Sequence, residues 1–143
     1  MNHQDKIDLL NRLLESEFTG LECYRTHASA ISEPEIAEGI TAIIPVEHAH
    51  AVSLTTRISE LGGNPARPGG PASVRGRDLA AASRHQGTQT MLKVELKLEQ
   101  QAIKEYAEAV ADIVDDMITV DMLEEQLLDE MRHAKWLKQQ LIT

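Results

Sequence analysis

The chain is poor in cysteine and aromatic residues, with one cysteine, one phenylalanine, one tryptophan and two tyrosines in 143 residues. A lone Cys23 excludes an internal disulfide framework and suits a reducing compartment, so a cytoplasmic location is expected. Positive charge is also scarce: 14 Lys and Arg stand against 23 Asp and Glu, a formal net charge of -9. Phosphate backbones and anionic membrane surfaces are held by clustered cations, so neither nucleic acid nor membrane is an expected partner. Arg67, Arg75 and Arg77 form a local basic patch, but without interleaved aromatics they read as solvated. No long apolar run is present, and the polar start Met1-Asn2-His3-Gln4 leads into an amphipathic stretch, so neither a signal peptide nor a membrane span is expected.

Ala, Leu, Glu, Gln and Ile dominate instead, which is the composition of helices, and the length suits a single domain over residues 1–143 with a core of its own. Four apolar seams follow, stepping by three or four residues apart from one gap of seven in the second. The first runs Ile7, Leu10, Leu14, Glu17, Leu21, Tyr24, Ala28, Ile31. Ser32-Glu33-Pro34-Glu35 then reads as an N-cap, an early-turn proline and a capping-box glutamate. The second seam runs Ile36, Ile40, Ile43, Glu47, His50, Leu54, Leu61, with a kink expected at Pro45. Five glycines and three prolines in residues 62–77 make a connection, with a short helix allowed at Asp78–Ser83. The third seam is Leu92, Leu96, Glu99, Ile103, Tyr106, Val110, Ile113, and the fourth Val120, Leu123, Leu127, Glu130, Ala134, Leu137, Leu141, with a turn near Asp115–Thr119. Short, long and short connections predict an all-α four-helix bundle of two antiparallel hairpins joined by a crossover at about residues 62–83.

Each seam is interrupted by one glutamate, and the halves repeat the pattern. Glu17 and Tyr24 are seven apart, as are Glu99 and Tyr106; Glu17 to Glu47 is 30 residues and Glu99 to Glu130 is 31. Seven residues fall about 20° short of two turns, so each Glu and Tyr share a face. Glu47-x-x-His50 and Glu130-x-x-His133 place a carboxylate and an imidazole on one helix surface, each pair able to grip one ion. Four carboxylates in an apolar bundle need an opposing charge, and no Lys or Arg occupies a seam. Two divalent cations would balance them. Carboxylates with one imidazole per ion suit iron or manganese, with zinc a possible substitute.

Glu17 with Tyr24, Glu47-x-x-His50, Glu99 with Tyr106, and Asp129-Glu130-x-x-His133 before Trp136-Leu137 resemble bacterioferritins and related ferritin-like di-iron carboxylate proteins over nearly the whole chain. The resemblance implies a ferritin-like bundle and metal ligation by Glu17, Glu47, His50, Glu99, Glu130 and His133, with Glu47 and Glu130 binding one ion each or bridging the pair. It also implies that Tyr24, and in the other half Tyr106, donates hydrogen bonds or electrons beside the metals. The implied activity is ferroxidation, in which two Fe(II) ions per chain are oxidised by dioxygen or hydrogen peroxide for iron storage or detoxification. Two alternatives remain: a rubrerythrin-like peroxidase or oxidase keeping iron as permanent cofactor, and a non-enzymatic metal-stabilised assembly protein. Bacterioferritins carry a haem-ligating Met directly after the second-helix Glu, where this chain has His48, so haem is not expected. Ten residues follow His133, too few for the fifth helix that lines channels in 24-subunit cages.

Glu95 is the rival to Glu99 as third-helix ligand, although Glu99 fits the seam and the tyrosine spacing better. Glu22, Glu108 and Glu124 read as solvated, His27 and His48 as exposed or interfacial, and Cys23 as a small buried apolar side chain. Apolar residues off the seams, among them Ile44, Val46, Val52, Ile58 and Val94, suggest a second face and a homo-oligomer.

Overall fold

The computed structural model describes residues 1–142, which form five α-helices and, among the described residues, no strand. They are α1 (His3–Ala30), α2 (Pro34–Glu60), α3 (Pro71–Ser83), α4 (Thr88–Asp112) and α5 (Met117–Ile142). α1 packs on α2 and α4 on α5, giving two antiparallel hairpins, and α1 meets α4 while α2 meets α5. This is the ferritin-like bundle, all-α, with the long crossover between α2 and α4. None of its helices is long and apolar enough to cross a membrane.

The seams become two apolar layers with a polar layer between them. At one end Ile7, Leu10, Leu14, Leu54, Ile58, Ile113 and Leu123 are buried together. At the other, Ile31, Ile40, Ile43, Met91, Leu92 and Leu137 form the second cluster. Each large aliphatic side chain so buried contributes roughly 1.5–3 kcal/mol, and these layers hold rigid the helix segments between them. Ile58 corrects the expectation of a surface role: it is fully buried, because it lies one turn after Leu54 on the same face of α2.

Three local expectations also change. α1 begins at His3, earlier than the seam, because Asn2 and Asp5 form a capping box in which each side chain accepts from the other's backbone N–H. No capping box opens α2. Glu33 is the N-cap without a side-chain cap bond, and Ser32, one position earlier, donates instead to Glu33 Oε1 at 2.6 Å. Thr88 Oγ1 donates to the same oxygen at 2.8 Å, which ties this turn to the start of α4. α2 continues past Pro45 to Glu60 with Leu61 as C-cap, after which Gly62 takes φ +85° and Gly63 N–H reaches back to the Ile58 carbonyl at 2.9 Å.

The crossover carries more helix than expected: the short helix allowed at Asp78–Ser83 begins at Pro71 and is 13 residues long. Pro71 sits at its first position, where a missing N–H costs nothing. α3 lies along α1 at very short range. A Cβ on Gly76 would stand 2.2 Å from the Thr19 carbonyl oxygen, so only glycine permits the approach. Thr19 Oγ1 donates to the Ala72 carbonyl at 2.9 Å, and Asn11 bonds to both Asn64 and Ala66. The base of the bundle is closed by Asp116, which takes Arg57 at 3.0 Å and Lys6 at 3.2 Å. Burial alone would raise this carboxyl, but bonds from Thr119, Arg57 and Lys6 hold it well below the usual carboxylate range.

Candidate metal centre

The polar layer is built from one glutamate on each long helix. Glu17, Glu47, Glu99 and Glu130 are all at most 3% exposed, with His50 and His133 beside them. They form two overlapping groups in which the donor atoms lie within 4.8 Å of one another: Glu17, Glu47, His50 and Glu130 in one, Glu47, Glu99, Glu130 and His133 in the other. Glu47 and Glu130 belong to both. Of the two third-helix candidates, Glu99 joins this cluster, whereas Glu95 falls in a separate group with Cys23 and His27.

His50 Nδ1 lies 3.1 Å from Glu130 Oε1 and 3.3 Å from Glu17 Oε1, and His133 Nδ1 lies 3.0 Å from Glu47 Oε1. On its outer side His50 Nε2 meets Asp129 Oδ2 at 2.8 Å, a carboxylate that orients the ring and that spacing alone did not single out. The tyrosines cross between the halves. Tyr24 donates to Glu99 Oε1 and Tyr106 to Glu17 Oε1, both at 2.7 Å. Since each phenol bonds the glutamate of the opposite half, α1 and α4 are locked in register, running antiparallel.

Four buried carboxylates meet no Lys or Arg here, so protons are the only cations available in the protein itself. Burial first, then the neighbouring carboxylates, push Glu47 and Glu130 well above the ordinary glutamate value. For His50 and His133 burial opposes the charged ring, but bonds to Glu17 and Asp129 in one case and to Glu47 and Glu99 in the other outweigh it, lifting both to about 9. Tyr24 and Tyr106 are raised by burial and then by their glutamate partners, so both remain phenols. Even so, no hydrogen bond of good geometry reaches Glu17 Oε2, Glu47 Oε1, Glu99 Oε2 or Glu130 Oε1, although the rings of His133 and His50 lie close to Glu47 Oε1 and Glu130 Oε1. Buried oxygens of this kind are costly unless a cation takes them, and two oxygen-rich groups with one imidazole each fit divalent iron or manganese.

A small cavity of about 70 Å³ reaches this layer between α1 and α4, bordered by Ser16, Gly20, Ala102 and Glu105, with Arg75 of α3 above it. Ser16 Oγ donates to Glu105 Oε2 at 2.9 Å across its mouth. Of the other residues weighed from sequence, Glu108, Glu124 and His48 are exposed and Glu22 is half-buried. His27 is a correction: it is completely buried, its ring held between Glu95 Oε1 and Ser83 Oγ at 2.7 Å each. Its partners come from α4 and α3, far away in the chain, and no spacing within α1 signals them.

The bundle with its crossover, and a central layer of glutamates and histidines in two overlapping groups, define the ferritin-like class of fold with candidate carboxylate–histidine metal sites. Residues 7–143 match the family described as Ferritin-like domain, and the chain belongs to that family. Among solved structures it is similar to a ferritin-like, diiron-carboxylate protein of Bacillus anthracis str. Ames, at 23% identity over 99% of both chains with a TM-score of 0.82. It is similar also to the bacterioferritin of Rhodobacter capsulatus, solved with a metal-free dinuclear site and haem iron, at 25% identity over 96% of this chain and 84% of that one, TM-score 0.82. A third is the dodecameric thioferritin of Bacteroides fragilis, a bacterioferritin-related protein, at 23% identity over 99% of this chain and 87% of that one, TM-score 0.83.

Proposed function

We propose that this protein is a ferroxidase that takes Fe(II) as substrate at the Glu17, Glu47, His50, Glu99, Glu130, His133 cluster. The observation that carries the reading is the set of four buried carboxylate oxygens without a hydrogen bond, gathered in one layer with two imidazoles and no Lys or Arg among them. Two dications exactly offset four carboxylates, with neutral imidazoles adding no charge. Because Glu47 and Glu130 belong to both donor groups, they would serve both ions, while Glu17 with His50 and Glu99 with His133 would each hold one side. Loading would displace the protons of His50 and His133, whose rings are otherwise held charged up to about pH 9.

With hydrogen peroxide as oxidant, two Fe(II) each lose one electron, the O–O bond is cleaved, and two protons complete two waters. Tyr24 and Tyr106 fix the free orientation of Glu99 and Glu17 by donating to one oxygen of each, leaving the other oxygen for the ion. The cavity beside Ser16 and Gly20 is of a size for water, dioxygen or peroxide, which favours iron itself as the species oxidised. Dioxygen is the other oxidant the site would serve. We assign the protein to iron storage or detoxification in the cytoplasm and to a homo-oligomer, as its bacterioferritin and dodecameric relatives suggest. Val52, Leu128 and Met131 are exposed apolar side chains available for such contacts.

The test adds Fe(II) anaerobically to metal-free protein, admits oxygen or peroxide, and follows ferric absorbance against iron per chain. Wild type should oxidise iron rapidly, and Glu47→Ala and Glu130→Ala should each slow it at least ~100-fold, beyond the range seen when only a supporting residue is lost. Turnover far past two irons per chain with a soluble ferric product supports storage. Saturation at about two would instead make iron a resident cofactor, and equal behaviour of wild type and variants would overturn the assignment.

A further inference from the structure

One turn beyond the central layer, α1 and α4 bury a second cluster that the reaction above does not use. Cys23, His27 and Glu95 are each 0% exposed, and their donor atoms lie within 4.8 Å of one another. Cys23 Sγ stands 3.8 Å from His27 Nδ1, which stands 2.7 Å from Glu95 Oε1. Glu95 Oε2 is buried with no hydrogen-bond partner. An unpaired carboxylate oxygen in the interior is a position where a cation is missing or a proton is held at cost.

The fold does not require polar residues there. Glu17 to Glu99 and Tyr24 to Tyr106 are both 82 positions apart, and the same offset carries Cys23, His27 and Leu13 to Glu105, Ala109 and Glu95. The matching place in the other half is therefore formed by Leu13 and Ala109, both in the apolar core, with Glu105 turned to Ser16. One half solves this packing with aliphatic groups and the other with a thiol, an imidazole and a carboxylate.

The imidazole is also presented as a ligand would be. Ser83 Oγ has the Leu79 and Ala80 carbonyls at 3.0 and 3.3 Å to take its single proton, and with the proton directed there it accepts from His27 Nε2–H at 2.7 Å. The lone pair of Nδ1 then points at Cys23 and Glu95, with the outer N–H anchored by a neighbour, the arrangement that fixes metal-bound histidines. Without a metal, a proton must sit between Nδ1 and Glu95 Oε1. A dication in its place, with Cys23 as thiolate and Glu95 as carboxylate, gives a neutral assembly.

We infer that Cys23, His27 and Glu95 form a third, mononuclear metal site for a borderline-soft dication of the zinc class, separate from the dinuclear centre. Thiolate, imidazole and carboxylate together select zinc or cobalt over calcium and magnesium, which prefer oxygen donors alone. Three side chains leave a fourth position for water. Binding releases the Cys23 proton, which burial and then the Glu95 charge otherwise hold firmly on the sulfur. The site does not depend on which metal fills the central layer.

Cobalt(II) titrated into metal-free protein tests this, because Cys23 is the chain's one cysteine and any thiolate-to-cobalt charge-transfer band in the near ultraviolet must come from it. Wild type should show that band and bind three cobalt ions per chain. Cys23→Ser should lose the band and one ion while retaining the weaker visible bands of the central ions and its ferrous oxidation. Glu95→Gln should weaken the affinity behind the band by at least ~10-fold. Glu47→Ala, which damages the central site, should keep it. Wild-type protein that binds two cobalt ions with no thiolate band overturns the inference, and this reading needs no variant to fold.

Discussion

The two halves of the molecule carry the same four positions, Glu, Tyr, Glu and His, yet treat one buried place in opposite ways. Around Leu13 and Ala109 the contact between α1 and α4 is apolar; around His27 and Glu95 it is a fully buried polar pair, capped by Ser83 of α3. α3 itself covers the first hairpin and has no counterpart on the second. What repeats between the halves is what the central layer needs, and what differs is free to carry something else. Polar residues buried without a structural demand are the informative ones, because an apolar solution to the same packing exists in the same chain.

The strongest way to break that comparison is to remove one member of the polar pair. His27→Ala leaves Glu95 buried without its partner and should destabilise the metal-free protein by roughly 3–5 kcal/mol in denaturant unfolding, whereas adding Glu95→Leu, which restores the other half's choice, should recover most of the loss. If the double variant is no more stable than the single one, the pair is required by the fold and the contrast fails. Next in size is a pH effect shared by both halves. His50 and His133 are raised to about 9 in the metal-free protein, above an unfolded value of about 6.5. Their contribution is therefore fully present below about pH 6.5 and lost as pH rises through 9, a decline on the order of a few kcal/mol. His50→Gln and His133→Gln should each remove a similar share of that slope, and metal loading should flatten it. Least in size is the seat of α3. Gly76→Ala drives a Cβ into the Thr19 carbonyl and should cost about 1–3 kcal/mol. Gly20→Ala on α1, whose Cβ would meet Glu47 Oε2 at an ordinary 3.9 Å, should instead be neutral or stabilising by up to about 1 kcal/mol.

The bundle was legible because its long helices bury one narrow stripe each, and a stripe leaves a period of three and four in the chain. Glu17, Glu47, Glu99 and Glu130 stood out for the same reason, as charges at positions where the period demanded apolar groups. The first half of α3 was missed because its small residues make a weak stripe and because Gly76 and Pro71, read as breakers, serve as a close contact and a helix start. Ile58 was hidden by following the second seam from Leu54 to Leu61. His27 had a visible signal in its place one turn after Tyr24, but Ser83 and Glu95, the residues that make its burial tolerable, come from helices that spacing along α1 cannot reach.

The crossed bonds from Tyr24 to Glu99 and from Tyr106 to Glu17 bear on how the molecule comes into being. Neither hairpin holds a finished half of the centre, since each supplies the phenol that completes the other's glutamate. The cluster is thus a product of docking: the first hairpin alone supplies only Glu17, Glu47 and His50, and these acids are taken out of water only where the second hairpin covers them. A metal that needs donors from both hairpins would therefore find its full set of ligands only in the completed bundle.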